Sequence, residues 1–175
     1  MAPLILYFSH PGENFVAGKV RPLTVGNTAV LAKMLGQKVG GTLQALLPVT
    51  PYPLAYQETV TRSKAELAQS AAVAWQPLVQ EPRPAQPLFL GFPIWWGTLP
   101  VIVSDYLRSH DWAGQPIYPF CTHEGSGGGD TARQLTQLCA GAQLHPALIV
   151  RGSRAAQADL LLINWLAANY DDCHL

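Results

Sequence analysis

Three separate stretches of this sequence hold residues that could together bind a flat, phosphorylated ligand. The first holds Ser9 and, farther along the chain, Gly26-Asn27-Thr28. The second covers residues 93–98 and contains two adjacent tryptophans, and the third is a glycine-rich run over residues 122–129. Hydroxyl groups, aromatic rings and accessible backbone suit a phosphate, a planar ring and the polar edge of a heterocycle, respectively.

The first stretch could bind a phosphate without lysine or arginine. Ser9 offers a hydroxyl group, and Asn27 and Thr28 lie where a helix is predicted to begin. Free N–H groups and the positive end of the helix dipole favour an anion at such a position. On these residues alone, a structural role in which Ser9 ends a turn and Asn27 caps the helix is an equal alternative.

The second stretch offers an aromatic wall. Side chains alternate along a strand, so Trp95 and Trp96 cannot both face one core. At least one ring is therefore expected to contact a ligand, and tryptophan stacks well on flat ring systems. The alternative is a pair of core or interface tryptophans, which the position at the end of a predicted strand disfavours.

The third stretch lacks the features of two common sites. It has no P-loop lysine, Asp130 stands where the last glycine of GxGxxG is needed, and Glu124 replaces the first glycine of GxSxG around Ser126. These departures argue against a nucleoside triphosphate site and a serine hydrolase. Taken with the phosphate subsite and the aromatic wall, a backbone-lined rim fits FMN best.

Five short apolar runs alternate with five helical patterns. The predicted strands cover residues 4–8, 42–47, 88–92, 116–121 and 144–150. The predicted helices begin at Gly26, Tyr56, Thr98, Asp130 and Ala155 and end near residues 40, 74, 114, 141 and 168. This order predicts a parallel α/β sheet with helices on both faces. The three stretches follow strands one, three and four, so they meet at the carboxyl ends where such sheets bind ligands.

One segment interrupts this regular order. Residues 13–25 separate the first strand from its helix, where a compact unit would continue directly. Apolar residues around Ala17-Gly18-Lys19 predict a small hairpin-like insertion. No composition change marks a linker, so we expect one domain over residues 1–175.

Composition excludes several classes of partner. The chain has 11 basic and 11 acidic residues, and this zero net charge gives no case for nucleic acid. Three cysteines without CxxC spacing predict neither a disulfide framework nor a zinc site, and Cys173-His174 offers too few metal ligands. The sequence predicts neither a membrane span, since no window holds the roughly 20 apolar residues needed, nor a signal peptide, so a cytoplasmic location is expected.

Four segments of the chain resemble the flavodoxin-like proteins of bacteria, in particular a group with PIWWGT and PFxTHxGSG loops. They are Tyr7-Phe8-Ser9, Gly26-Asn27-Thr28, Gly91-Phe92-Pro93-Ile94-Trp95-Trp96-Gly97-Thr98 and Pro119-Phe120-Cys121-Thr122-His123-Glu124-Gly125-Ser126-Gly127. The resemblance implies a three-layer sandwich with sheet order 2-1-3-4-5 and FMN at the switch between strands one and three.

By position, the resemblance also implies the residues that contact FMN. They are Ser9, Asn27, Thr28, Pro93, Ile94, Trp95, Trp96, Gly97, Thr98, Thr122, Glu124, Gly125, Ser126 and Gly127. Gly97 is where a peptide could flip to accept a hydrogen bond from the reduced flavin, since glycine tolerates the change. The resemblance implies no catalytic residue and no metal ligand.

Two functions follow from the resemblance. The first is electron transfer by an FMN-binding protein to a redox partner protein or a small-molecule acceptor. However, single-domain carriers of this type are typically acidic, and this chain is neutral. The alternative is an FMN-dependent NAD(P)H reductase of quinones or nitroaromatics, with a substrate space shaped by Phe15, Tyr52 or Tyr56.

In a reductase, His10 or His123 could supply a proton, although a partly exposed loop position explains either histidine better. A third hypothesis, a structural protein that has lost its cofactor, is disfavoured by the intact phosphate and tryptophan motifs. The oligomeric state stays open, with a homodimer among the options.

Overall fold

The computed structural model describes residues 1–170, which fold around one parallel sheet. The strands are β1 Leu4–Tyr7, β2 Gly12–Val16, β3 Lys19–Leu23, β4 Thr42–Ala45, β5 Leu88–Pro93, β6 Pro116–His123, β7 Gln143–Leu144 and β8 Leu148–Arg151. The helices are α1 Asn27–Val39, α2 Tyr56–Gln69, α3 Val101–Arg108, α4 Thr131–Leu138 and α5 Asp159–Asn169, with a 3-10 helix at Gly152–Gln157. None of these helices is long and apolar enough to cross a membrane.

The sheet has the order β4-β1-β5-β6, and both β7 and β8 pair with β6. Every one of these pairings is parallel. The hairpin strands β2 and β3 form a separate sheet. When only the strands of the parallel sheet are numbered along the chain, with β7 and β8 together as the fifth, the order is 2-1-3-4-5. The predicted α/β fold and its strand order are thus confirmed.

The fifth strand is interrupted, and the prediction of one strand over residues 144–150 is wrong in this respect. Gln143 lies opposite Pro116, whereas Leu148 lies opposite Phe120. The last strand therefore uses one residue more than β6 over the same length, as in a β-bulge. Pro146 lies in the break and has no N–H to give to a ladder.

Alternating side chains divide the core between the two faces of the sheet. In β1, Leu4 and Leu6 join a cluster with Ile102 and Val103 of α3, whereas Ile5 joins Leu31 of α1 on the opposite face. All six side chains are fully buried. A short strand with apolar residues at every position is buried on both faces, and that requires the three-layer arrangement.

Three helices have different ends from those predicted. α2 ends at Gln69 instead of near residue 74, because Ser70 takes a left-handed conformation with φ +48°. α3 begins at Val101 with Pro100 as its preceding residue, since the Thr98 hydroxyl binds the Trp95 carbonyl and does not cap the helix. α5 begins at residue 159 because a 3-10 helix precedes it.

The segment that follows β1 forms an antiparallel hairpin. β2 and β3 pair from Gly12 opposite Leu23 to Val16 opposite Lys19. Ala17 and Gly18 form the two-residue turn, and both have positive φ (50° and 84°). Two positive φ values match a type I′ turn, whose twist suits paired strands.

Candidate functional site

A cavity of about 240 Å³ lies at the carboxyl ends of β1, β5 and β6. Nine predicted site residues line it: Ser9, Asn27, Thr28, Pro93, Ile94, Trp95, Trp96, Thr122 and Glu124. The other five predicted residues are not in its lining: Gly97, Thr98, Gly125, Ser126 and Gly127. Ten further residues complete the wall: His10, Glu13, Asn14, Phe15, Tyr56, Thr59, Val60, Ser63, His123 and Gly152.

The two halves of the first stretch meet at the amino end of α1. The Ser9 Oγ accepts a hydrogen bond from the Ala29 N–H at 3.1 Å, although the hairpin separates the two residues in sequence. Gly26 makes this contact possible, because a Cβ there would lie 2.3 Å from the Ser9 Oγ. The insertion therefore closes on itself and leaves the amino end of the helix facing the cavity.

Unused hydrogen-bond donors remain at this helix end. Among residues 1–170, the N–H groups of Asn27 and Thr28 have no partner, and the Ser9 hydroxyl has no acceptor. The helix is 13 residues long, so its positive end adds to the attraction of an anion. These donors form a candidate phosphate subsite.

A buried contact joins α1 to β6 beside this subsite. The Thr28 and Thr122 hydroxyl oxygens lie 2.8 Å apart, and both residues are buried. One hydroxyl donates in this bond, so the other keeps a hydrogen that can bind a ligand.

The two tryptophans have different surroundings. The Trp95 ring meets the rings of Phe8, Tyr52 and His10 edge to face, with centroids 5.2, 5.1 and 6.0 Å away. Trp96 is 46% exposed. The two rings thus point to different surroundings, with Trp95 packed on the core and Trp96 at the cavity mouth.

Trp96 lies in a strained turn. Trp95 and Thr98 pair through two backbone hydrogen bonds of 3.2 and 2.9 Å, which leaves Trp96 and Gly97 at the centre of the turn with φ +56° and +72°. These values match a type I′ turn, which favours asparagine or glycine. A left-handed conformation costs about 1–2 kcal/mol for a residue with a Cβ. The Trp96 Nε1–H donates to the Ser63 Oγ at 3.1 Å, and this bond fixes the indole against α2.

The glycine-rich loop packs behind the tryptophan turn. The Gly97 carbonyl accepts a hydrogen bond from the Asp130 N–H at 2.8 Å. A Cβ on Gly129 would lie 2.1 Å from the Gly97 oxygen, so only glycine allows this approach. A flip of the Gly97–Thr98 peptide would break the bond to Asp130. The Trp96–Gly97 peptide has no hydrogen-bond partner among the described residues, and it can turn more freely.

His123 holds the rest of this loop in place. Its Nδ1 accepts hydrogen bonds from the N–H groups of Gly125 at 3.0 Å and Gly127 at 3.1 Å. Nδ1 must therefore be unprotonated, and in the neutral ring the hydrogen is on Nε2. The glycines wrap around this ring, which explains why Gly125, Ser126 and Gly127 are outside the cavity lining.

Glu124 joins three segments at the cavity edge. Its carboxylate accepts hydrogen bonds from the N–H groups of Ser153 and, at 3.3 Å, Ala17 at the hairpin turn. The Arg151 guanidinium lies 3.4 Å from the same carboxylate. A Cβ on Gly152 would lie 2.5 Å from the Asn27 Nδ2 and 3.0 Å from a Glu124 oxygen. These donors satisfy the carboxylate, so its charge is compensated near the phosphate subsite.

The inward face of α2 is polar, and the sequence analysis did not identify it. Thr59, Ser63 and Glu66 are all buried, and their spacing places them on one face of the helix. The Thr59 hydroxyl donates to the Pro53 carbonyl at 2.6 Å, and Glu66 accepts from the Tyr52 hydroxyl at 2.7 Å. The sequence did contain a signal for this face. Thr59, Ser63 and Glu66 are polar residues at the helical spacing where a helix that packs on a core normally has apolar residues.

His10 is buried, and the expectation of a partly exposed loop residue is wrong. It is 7% exposed and lines the cavity, with its Nε2 3.4 Å from the Thr59 Oγ1. Because the Thr59 hydrogen goes to Pro53, this oxygen can only accept from the His10 Nε2–H. Burial lowers the pKa of His10, so the ring is held in its neutral form.

The hairpin borders the cavity and is fixed to α2. The Glu13 N–H donates to the Leu54 carbonyl at 2.7 Å, and a Glu13 carboxylate oxygen accepts from the Tyr56 N–H at 2.9 Å. The rings of Phe15 and Tyr56 lie 6.5 Å apart. A carboxylate at the amino end of α2 also interacts favourably with the helix dipole.

The two cysteines within residues 1–170 give no further chemistry. Cys121 and Cys139 are buried free thiols, and burial raises the pKa of each to about 12. Neither forms a reactive thiolate near neutral pH. The described residues contain no group of three or more side chains that could hold a metal, and Cys173-His174 lies outside them.

Comparisons with known proteins agree on the fold. A family model described as flavodoxin matches residues 22–169. A Bacteroides eggerthii protein described as a flavoprotein has 25% identity and a TM-score of 0.70, over 94% of this chain and 95% of its own. A Bacteroides uniformis protein with the same description has 24% identity and a TM-score of 0.66, over 92% and 97%.

A third solved structure is a Lactobacillus acidophilus flavoprotein in complex with FMN. It has 14% identity and a TM-score of 0.63, over 93% of this chain and 97% of its own. No curated protein sequence matches this chain. Since the family model covers most of the residues and the sheet has the matching strand order, the chain belongs to the flavodoxin family.

Proposed function

We propose that the cavity binds FMN and that the protein acts in electron transfer. The observation that carries the proposal is the free N–H pair of Asn27 and Thr28 beside the Ser9 hydroxyl, in one cavity with Trp95 and Trp96. The cavity thus offers hydrogen-bond donors for a phosphate and aromatic side chains for a flat ring system. The FMN complex of the Lactobacillus fold relative supports the same assignment.

The residues present fit this cofactor. Ser9, Asn27 and Thr28 would bind the phosphate, Trp95 and Trp96 would flank the ring system, and the Thr28–Thr122 hydroxyl pair would add a donor. FMN would supply one- and two-electron redox chemistry. The chain itself would bind and orient the cofactor, and its aromatic side chains would exclude water from the ring.

A reductase of quinones or nitroaromatics that uses NAD(P)H is the second candidate. One observation favours it: the cavity wall continues past the phosphate subsite to the buried, neutral His10 and to Thr59 and Tyr56. A pure electron carrier needs no such wall. A cytoplasmic location and a single domain remain predictions.

Flavin titrations test the proposal. FMN and riboflavin differ only by the phosphate, so the protein should quench FMN fluorescence and bind FMN more tightly than riboflavin. Ser9→Ala should weaken FMN binding about tenfold or more, because a hydrogen bond to a charged group contributes about 1.5–3 kcal/mol. Riboflavin binding should stay nearly unchanged.

Ser109→Ala is the matched control, since Ser109 is an exposed serine at the end of α3, outside the cavity lining. Equal binding of FMN and riboflavin would contradict the phosphate subsite, and absence of any quenching would contradict FMN binding. Steady-state NAD(P)H oxidation with a quinone then separates the reductase from the carrier.

A further inference from the structure

The cavity has two ends, because two neighbouring residues after β1 send their side chains in different directions. The Ser9 hydroxyl reaches the amino end of α1, which packs on one face of the sheet. The His10 ring instead lies against the rings of Tyr52 and Trp95, at 6.2 and 6.0 Å between centroids. Both of these rings pack with the core on the other face of the sheet. The Nε2 of His10 reaches Thr59 of α2 there, so the second end of the cavity lies at α2.

The His10 ring has a nitrogen without a partner at this second end. Because Nε2 carries the hydrogen that faces the Thr59 Oγ1, Nδ1 is an unprotonated acceptor. No residue in the described part of the chain donates to it. Every fully buried polar side-chain atom of residues 1–170 has a partner, so Nδ1 must reach open space. The ring is only 7% exposed and lines the cavity, so this open space is the cavity.

Two side chains of the hairpin add acceptors to this end. Asn14 donates its amide N–H groups to the His10 and Gly12 carbonyls, at 3.1 Å each, which leaves its Oδ1 to accept. One carboxylate oxygen of Glu13 accepts from the Tyr56 N–H, and the other has no partner within residues 1–170. Asn14 and Glu13 both line the cavity. The free N–H groups lie at the α1 end, whereas this end is rich in acceptors.

The inward face of α2 adds surface to this end and no free hydroxyl hydrogen from Thr59 or Ser63. These two hydroxyls donate to backbone carbonyls at 2.6 and 3.2 Å. Tyr56 and Val60 line the cavity from the same helix, and the Phe15 ring lies 6.5 Å from that of Tyr56. An aromatic and aliphatic wall beside hydrogen-bond acceptors suits a flat ring that carries hydrogen-bond donors.

We propose that the cavity end between the hairpin and α2 binds a hydroquinone, with one hydroxyl donating to the His10 Nδ1. The inference rests on the second candidate function, since a quinone that gains two electrons and two protons becomes a hydroquinone. His10 would determine specificity, because its lone pair accepts from a hydroxyl and repels a carbonyl oxygen. A ligand without a hydroxyl would leave this buried acceptor unpaired, which lowers its affinity.

The test compares two probes, hydroquinone and 1,4-dimethoxybenzene, in NMR titrations of the FMN-loaded protein under nitrogen. The two compounds share a ring and its two oxygens, but only hydroquinone has hydroxyl hydrogens. Hydroquinone should bind about fivefold more tightly or better, the ratio expected for one hydrogen bond. Equal binding of the two probes, or tighter binding of 1,4-dimethoxybenzene, would overturn the proposal.

A matched pair of variants locates the acceptor. Asparagine and leucine have similar shapes, and only asparagine has an oxygen that can accept near the position of Nδ1. His10→Leu should weaken hydroquinone binding about fivefold and leave 1,4-dimethoxybenzene binding within about twofold. His10→Asn should keep most of the preference for hydroquinone. An equal loss in both variants would show that only the packing of the ring matters, and an unchanged preference in His10→Leu would also refute the proposal.

FMN titrations separate this inference from the proposed function, and they also report whether the His10 variants fold. If FMN loading abolishes hydroquinone binding, the flavin itself covers Nδ1, so the inference is wrong while FMN binding stands. If the chain binds no FMN and still prefers hydroquinone in a manner that depends on His10, the proposed function is wrong and the hydroquinone subsite stands.

Discussion

Trp96 and Ser63 are joined by a hydrogen bond of 3.1 Å from the indole Nε1–H to the hydroxyl oxygen, across the gap between the β5 loop and α2. This bond holds a half-exposed ring at the cavity mouth, and Ser63 itself lines the cavity. The ring is thus oriented before any ligand arrives, and preorganisation of this kind reduces the ordering that binding requires.

Ser63→Ala should release the Trp96 ring. We expect FMN affinity to fall several-fold and the stability of the FMN-free protein to fall by about 1 kcal/mol, the contribution of one hydrogen bond. The measurements are FMN titration and urea unfolding. In a Trp96→Phe background, which lacks the indole N–H, Ser63→Ala should have no further effect on FMN affinity; an undiminished effect would refute the coupling.

The backbone strain at Trp96 can be measured with two substitutions. Asparagine tolerates a left-handed conformation and β-branched valine does not, so Trp96→Asn should be about 1 kcal/mol more stable than Trp96→Val. Both variants lose the ring and its bond to Ser63, which leaves the backbone preference as the main difference. Urea unfolding without FMN gives the comparison, and equal stabilities would argue against the strained turn.

Gly26→Ala should disrupt the phosphate subsite. The added Cβ would lie 2.3 Å from the Ser9 Oγ and 2.5 Å from the His10 carbonyl, so we expect a loss of about 1–3 kcal/mol in stability. FMN should bind more weakly, and riboflavin much less so. Gly128→Ala is the control, because its Cβ would meet only the end of the flexible Ile149 side chain at 2.9 Å. Equal losses in the two variants would contradict the close packing at Gly26.

His10 should make stability depend on pH. Burial lowers its pKa in the folded protein, so below about pH 6.5 the unfolded chain binds a proton that the folded chain resists. The contribution of His10 is therefore fully present above pH 6.5 and is lost as the pH falls below that value. Urea unfolding from pH 8 to pH 5 should show a smaller decline in His10→Gln than in the unaltered protein, and identical profiles would contradict a buried neutral ring.

The fold was predictable because its strands carry unambiguous patterns. Residues 4–8 and 88–92 are short runs that are apolar at every position, which only a strand covered on both faces accommodates. The break in the last strand was not predictable to the same degree. Pro146 signals an interruption, but pairing of both halves with β6 depends on tertiary register.

The site was predictable only in part, for a physical reason. Ser9, Asn27 and Trp96 could be identified because residues of their types, at the ends of predicted strands and helices, indicate a ligand site from the local sequence alone. Thr59 and Ser63 line the same cavity from a helix far along the chain, and no short motif links them to it. Their contribution depends on how α2 packs, which is a property of the whole fold.

The bond between Ser9 and Ala29 has a consequence for how this protein can change. It ties together the two ends of the segment that contains the hairpin, so the phosphate subsite does not depend on what lies between them. The free energy of closing a loop varies only weakly with its length. Mutation can therefore lengthen or shorten the hairpin, or change its charge, and so alter which molecules reach the cavity. The residues proposed to bind the cofactor phosphate would keep their positions.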